Sequence, residues 1–212
     1  MKESTMKKKG LEKKFVFQND AAARYIFFAL KNDIGGLDDY QLNFGEFVIH
    51  LDTYYDTPDL AFSQQGEIHR YREKRAGGDP VYFRTEKKRI LIGDTFKFDK
   101  KEDDIDIMDV PETFQVEGKS LPHIVTIRTY RIIIAVHNNQ GQQIFQIHCD
   151  QSTVLKPDGA VKKRFYEIEL QHAKADKELD NMEIFSHLIQ EMFNLSPIHK
   201  SKIERALDIP SQ

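Results

Sequence analysis

Arg70 and Arg72 stand two residues apart, as do Glu167 and Glu169, Glu12 and Lys14, and Glu86 and Lys88. In an extended strand, residues two apart share a face, so each pair presents two charges side by side. From Gly66 to Arg72, Ile68, Arg70 and Arg72 share one face, and His69 and Tyr71 the other. From Val81 to Lys88, Tyr82, Arg84, Glu86 and Lys88 lie opposite Val81 and Phe83. From Arg164 to Leu170, Phe165 lies with Glu167 and Glu169, opposite Tyr166, Ile168 and Leu170. Clustered arginine and lysine suit phosphate oxygens, and arginine offers a planar fork of donors. Paired carboxylates suit a hard divalent cation such as Mg²⁺ or Mn²⁺. A water-filled barrel interior holding both would be a metal–polyphosphate site. The same charges also describe a solvated outer face, whose cross-strand pairs contribute about 0–1 kcal/mol each. Tyr166, Ile168 and Leu170 argue for the first reading, because they supply a packed face and leave the charged one for the interior.

The elements that carry these pairs are mostly strands, with β-branched and aromatic residues between turn signals. The pattern predicts strands over 11–17, 47–55, 66–75, 80–90, 95–101, 124–137, 142–149 and 163–171. Breaks fall at Thr57-Pro58, Gly77-Gly78, Gly93-Asp94, Asn138–Gly141 and Pro157-Asp158-Gly159. A helix is expected over 20–31, capped by Asn19 or Asp20 with Ala22, Ile26 and Leu30 on one face. Another is expected over 177–193, with Ser196-Pro197 as cap and first turn of a short final helix. Residues 33–45 and 102–122 read as loops. Eight long strands joined mainly by hairpins predict an α+β, mainly β architecture, an antiparallel sheet curled or closed on itself, with flanking helices.

The chain has 212 residues, 40% of them apolar, which suffices for a core. Lys+Arg 31 and Asp+Glu 34 leave a net charge of -3, so no global pull toward nucleic acid or an anionic membrane is expected. A single cysteine, Cys149, excludes an internal disulfide framework and a multi-cysteine zinc site. No apolar run reaches the length of a membrane helix. The basic start lacks the apolar stretch of a secretory signal, and the cytoplasm is the expected compartment. Residues 1–9 read as a flexible basic tail, and residues 10–209 as a single domain. The acidic run from Glu102 to Asp109 lacks the glycine and spacing of an EF-hand loop, and there is no Walker-type glycine loop or Gly-x-Ser-x-Gly elbow.

Tyr54-Tyr55-Asp56-Thr57-Pro58-Asp59-Leu60, followed by Gly66 and Arg70-Tyr71-Arg72, resembles the core signature of the CYTH superfamily, the triphosphate tunnel metalloenzymes. Phe165–Leu170 resembles the family's second acidic strand, and Ser201–Leu207 its C-terminal lysine motif. The resemblance runs from about residue 10 to 207 and implies an eight-stranded antiparallel β-barrel forming a tunnel. Glu12 and Lys14 match the last two charged positions of the family's Glu-x-Glu-x-Lys motif, whose first glutamate is replaced here by Gly10. The resemblance makes Lys14, Arg70, Arg72, Arg84, Lys88, Arg128, Arg131 and Lys202 the phosphate-binding candidates. Lys14, Arg70 and Arg72 are the catalytic ones among them. Lys87 is an alternative to Lys88, Arg128 and Arg131 alternate with each other, and Lys200 is a near alternative to Lys202. Lys97 and Asp99 are looser candidates. Glu12, Glu167, Glu169 and Asp150 are the implied ligands for Mg²⁺ or Mn²⁺.

The expected activity is metal-dependent hydrolysis of a small triphosphate, with inorganic tripolyphosphate first. Other readings on the same scaffold are a class IV-type adenylate cyclase and a thiamine triphosphatase. A non-catalytic polyphosphate- or nucleotide-binding module is motivated by Gly10. The polyphosphate polymerase relatives share the tunnel, and Glu86-Lys87-Lys88 resembles their Glu-x-Lys strand, but Glu167-Ile168-Glu169 fits the CYTH pattern better. A homodimer is compatible with the sequence.

Overall fold

The structure is a computed structural model that describes residues 5–17, 19–32, 37, 39–106, 109–156, 158–172 and 179–209. The strands are β1 (Thr5–Val16), β2 (Tyr40–Tyr55), β3 (Glu67–Arg75), β4 (Val81–Ile92), β5 (Thr95–Ile105), β6 (Thr113–Val116), β7 (Lys119–Asn138), β8 (Gln143–Leu155), β9 (Val161–His172) and β10 (Ser196–Pro197). The helices are α1 (Asp20–Lys31), α2 (Ala61–Gln64), α3 (Leu179–Phe193) and α4 (Lys202–Ala206). Neighbours run β1-β5-β4-β3-β2-β7-β8-β9, and β9 pairs back onto β1. The result is the expected ring of eight strands, and every pairing is antiparallel.

Closure leaves two faces, and the apolar one is outside. Tyr166, Ile168 and Leu170 of β9 pack with Ile134, Val136 and Ile147 against α1 and α3. Helix α1 starts where the Asn19 side chain accepts from Ala22 N, and it buries Ala23, Ile26, Phe27 and Leu30. Helix α3 contributes Met182, Phe185 and Ile189, spaced three and four apart as one helical face requires. Lys13 points outward from β1 but is buried, pairing with Asp94 at 3.0 Å and with Glu183 of α3. The main core therefore lies between barrel and helices. At one end of the barrel Tyr54, Ile68, Ile127 and Phe165 pack with Ile203 and Ala206 of α4, which closes that end with apolar side chains.

Several elements differ from expectation. The first strand begins at Thr5, so residues 5–9 are not a tail; residues 1–4 lie outside the described residues. Lysine-rich Lys7–Lys9 pairs with Lys101–Asp99, where acidic side chains lie alongside, and Thr5 Oγ1 donates to Asp103 at 2.6 Å. Strand β2 starts at Tyr40, and β5 runs on to Ile105, with Asp103 facing Arg84 of β4. The β6–β7 hairpin occupies much of the span read as loop. Ser196-Pro197 caps no helix: it bridges Phe15 and Val16, and the final helix is capped by Ser201, whose hydroxyl accepts from Glu204 N while Glu204 accepts from Ser201 N. Residues 33–36 of the expected loop and the expected helix start at 177 lie outside the described residues. Among the described residues no helix is long and apolar enough to cross a membrane.

Candidate active site inside the barrel

Alternation along each strand sends one set of side chains inward. From β1 these are Glu12 and Lys14, from β3 Arg70 and Arg72, from β7 Arg131, from β8 Asp150, and from β9 Glu167 and Glu169. All of them except Asp150 and Glu167 line a void of about 80 Å³, whose lining among the described residues includes eight basic side chains and two carboxylates. Only Tyr54 and Ile68 are apolar among them.

Arg70, Arg72 and Arg131 are each held by a buried aspartate, and Arg89 pairs with Glu204 at 3.1 Å. Arg72 donates through Nε and Nη2 to Asp52 at 2.6 and 2.7 Å, and Arg131 donates in the same way to Asp150 at 2.7 and 2.6 Å. These forks fix the guanidinium planes and leave Nη1 of each for another acceptor. Arg70 Nη1 lies 3.4 Å from Asp52, and its Nε, like that of Arg89, is buried without a hydrogen-bond partner. Buried unpaired donors are costly and rare, so two at one void point to an anionic ligand.

Lys14 Nζ sits 3.3, 3.2 and 3.1 Å from Glu12, Glu167 and Glu169. Burial works against its charge, but the three carboxylates outweigh it and hold the ammonium above the ordinary lysine range. Lys202, delivered by α4, lies 2.7 Å from Asp150 and against Glu167. Burial and Glu169 push Glu12 up, but Lys14, Lys87 and Arg89 hold it at about 2. Burial also pushes Glu167 up, and Lys14, Lys202 and Arg205 hold it at about 2. Asp150 and Glu169 are likewise held below the carboxylate range against burial, chiefly by Arg131 and Lys14 respectively. All four carboxylates are therefore ionised at neutral pH.

Asp150, Glu167 and Glu169 each place an oxygen within 4.8 Å of the others. Three ionised carboxylates with no thiolate form a donor set of the kind that suits a hard divalent cation. Glu12, also paired with Lys14, is outside that trio. The space of the missing carboxylate at position 10 is taken. A Cβ on Gly10 would stand 2.3 Å from His172 O and 2.8 Å from the Phe98 ring. Lys87 Nζ lies 4.4 Å from the centre of that ring and 2.5 Å from Glu12.

Of the sequence candidates, the barrel brings together Lys14, Arg70, Arg72, Arg131, Lys202, Glu12, Glu167, Glu169 and Asp150. Three do not join them. Arg84 lies outside, against Phe114, pairing with Glu86 and with Asp103 at 3.7 Å. Lys88 is exposed and pairs with Glu67 at 2.8 Å. Arg128 is exposed opposite Leu51, because it lies three positions, an odd number, from inward Arg131 and so falls on the other face. Lys97 and Asp99 are also exposed. The corresponding inward residues are Lys87 and Arg89 of β4 and Lys100 of β5. Strand β4 is charged on both faces, and its denser face, Arg84, Glu86 and Lys88, is the solvated one. Asp52 was missed as well, although it precedes Tyr54 by two residues on the same face. Burial pulls Lys100 down to about 7, with Arg70 and Arg72 adding to the effect and Glu102 opposing it. Burial brings Lys87 down to about 8 despite Glu12 and Glu169.

The CYTH domain family model matches residues 24–207 of the chain. Among solved structures, the fold is similar to a Hippeastrum protein assigned as an adenylyl cyclase and described as having a dominant triphosphatase activity. That chain is 12% identical, with a TM-score of 0.64 over 96% of this chain and 97% of the other. A Bacillus halodurans protein assigned as an adenylate cyclase is 19% identical, with a TM-score of 0.63 over 94% and 97%. A Pyrococcus horikoshii protein is 18% identical, with a TM-score of 0.57 over 97% and 100%. At such identities the likeness is one of fold. A comparison with curated proteins finds no match.

Proposed function

The chain belongs to the CYTH domain family, and from that premise we propose that it is a metal-dependent triphosphatase whose substrate is inorganic tripolyphosphate. The observation that carries this reading is the interior void: small, almost without apolar lining, and surrounded by cations with the buried donors Arg70 Nε and Arg89 Nε unpaired. Such a lining favours a compact polyanion over a group that needs apolar walls.

Phosphoryl transfer needs positioning and charge stabilisation more than covalent work. Arg70, Arg72 and Arg131 bind phosphate oxygens, and Asp52 and Asp150 orient Arg72 and Arg131 for that task. Lys14 and Lys202 place charge beside the acidic trio. The apolar seal made with α4 keeps water out at one end. Asp150, Glu167 and Glu169 would hold a divalent cation such as Mg²⁺ or Mn²⁺, which when bound neutralises phosphate charge and polarises the group under attack.

The test is phosphate release from tripolyphosphate, ATP and thiamine triphosphate, each with Mg²⁺, with Mn²⁺ and with chelator. Metal-dependent release that favours tripolyphosphate is expected, and Glu169→Gln should lower it by about ten-fold or more while leaving a folded protein. Tight binding without release at any metal concentration would make the chain a binding module. Cyclic AMP formed from ATP would make it a cyclase.

A further inference from the structure

Strand β8 alternates between two environments. Ile147 and Cys149 point outward into the core under α1 and α3, so Gln146, His148 and Asp150 point into the barrel. Asp150 belongs to the acidic trio, and His148, two residues before it on the same face, is 3% exposed. Register sets what His148 meets. Its direct cross-strand partners are Glu169 on β9 and Ile133 on β7. Ile133 offers no polar side-chain atom, and the ring turns to the carboxylate. Nδ1 lies 3.3 Å from Glu169 Oε1, and Nε2 lies 3.3 Å from the amide oxygen of Gln146.

The other oxygens of the trio are held by cations. Arg131 takes both oxygens of Asp150, and Lys202 adds to one of them at 2.7 Å. Lys14 and Lys202 take Glu167 Oε1, and Arg205 takes Oε2 at 2.8 Å. Glu169 Oε2 faces Lys14 at 3.1 Å and Arg131 at 3.6 Å. Glu169 Oε1 is met by an imidazole instead, a directional donor on a short side chain packed between two strands. An ionised carboxylate only accepts, so Nδ1 carries the proton whichever charge the ring has. The Gln146 amide has both an acceptor and donors, so it can answer Nε2 in either case and steady the ring from its far side.

We infer that His148 is a positioning residue, whose Nδ1–H fixes the Glu169 carboxylate for a divalent cation held by Asp150, Glu167 and Glu169. The inference rests on the reading that this trio holds a cation. Without the bond, the carboxylate turns toward Lys14 and Arg131, which already attract Oε2, and the cation loses a donor. Hydrogen-bonding partners of metal ligands typically set metal affinity by about 10–100-fold.

The experiment is calorimetric titration of the full chain with Mn²⁺ alone, repeated by following the paramagnetic resonance signal of free Mn²⁺. His148→Leu keeps an apolar bulk and removes the donor. His148→Asn puts an amide N–H where Nδ1 stands, and His148→Gln puts one nearer Nε2. His148→Leu and His148→Gln should weaken Mn²⁺ binding about ten-fold, and His148→Asn should stay within about three-fold of the unaltered chain. Urea unfolding in chelator measures stability separately, and a merely structural role would not sort metal affinity by the place of the donor. In turnover, His148→Leu should raise the half-saturating Mn²⁺ about ten-fold and change kcat at saturating metal by less than about three-fold. Mn²⁺ affinity within about two-fold of the unaltered chain in both His148→Leu and His148→Gln overturns the inference. So does equal weakening by all three changes, which would make His148 a packing residue. If His148→Leu does not fold, the comparison of Asn with Gln decides alone. Glu169→Gln tests the premise. Mn²⁺ binding that is absent, or that Glu169→Gln leaves unchanged, means that the trio holds no cation, and both readings fall. Weakening by Glu169→Gln with none by the changes at His148 leaves the trio standing and overturns only the role of His148.

Discussion

Asp52→Asn perturbs the interior at one point with almost no change in volume. Asp52 is fully buried and accepts from Arg72 at 2.6 and 2.7 Å and from Arg70 at 3.4 Å. Asparagine keeps one acceptor oxygen but turns an NH₂ donor toward a guanidinium that also donates. Breaking one side of a buried ion pair costs about 3–5 kcal/mol. Both arginine side chains are 11% exposed, so water relieves part of this and the lower end applies. For a chain of this length each kcal/mol moves Tm by about 2–4 °C, which puts the expected fall at roughly 6–12 °C. The loss is one of counter-charge, so a polyanion bound in the barrel should restore it. Saturating tripolyphosphate, measured by thermal scanning in chelator, should raise the Tm of Asp52→Asn more than that of the unaltered protein. Pairing the change with Arg72→Met removes both partners and should recover stability while losing the extra ligand rescue. A Tm fall below about 2 °C would mean that Asp52 does not neutralise these arginines. Equal ligand shifts in both proteins would mean that phosphate does not reach Arg70 and Arg72.

The two faces of β4 can be separated by mutation. Lys87→Ala should weaken tripolyphosphate binding about ten-fold, and Lys88→Ala should leave it within about two-fold; the reverse order in a titration would refute the strand's register. Lys100 faces Glu102, Arg70, Arg72, Lys87 and Lys8, and burial lowers it to about 7 from its ordinary 10.5. The unfolded chain then holds more protons between those values, so Lys100 makes ligand-free stability rise with pH across that window. The stability of the unaltered protein relative to Lys100→Met, from urea unfolding, should therefore increase from pH 7 toward pH 10; a flat difference would mean that Lys100 stays charged. An approaching polyanion favours the charged amine, so binding at pH 8 should take up more protons than in Lys100→Arg, as read by calorimetry in buffers of differing ionisation enthalpy.

Much of the barrel was legible because several strands alternate cleanly. Tyr166, Ile168 and Leu170 on one side of β9 leave Glu167 and Glu169 only one place to go. Arg70 and Arg72 opposite Tyr71, and Glu12 with Lys14, follow the same logic. Where both faces carry charge, alternation stops deciding. Arg84, Glu86 and Lys88 outnumber Lys87 and Arg89, yet the denser face is the solvated one, because exposed ion pairs cost little and buried cations need partners. Thr5–Lys9 has no apolar face at all, and its strand character comes from its backbone pairing with 99–103 of β5, which local pattern does not show. The capping box of Ser201 and Glu204 was readable as a Ser-x-x-Glu pattern, but Pro197 drew the expected helix start too early.

The sequence by itself determined the charges, their two-residue spacing, and the apolar faces that oblige the strands to close under α1 and α3. It also carried the departure at Gly10. Only the tertiary structure decided which charges meet. Asp52 finds Arg72, Asp150 finds Arg131, and Lys202 reaches Glu167 through strand register and the return of α4, all separations that local pattern does not encode. The reason is physical: period two assigns a residue to one of two faces, but which face is interior is set by closure of β1 on β9, and closure depends on the whole ring.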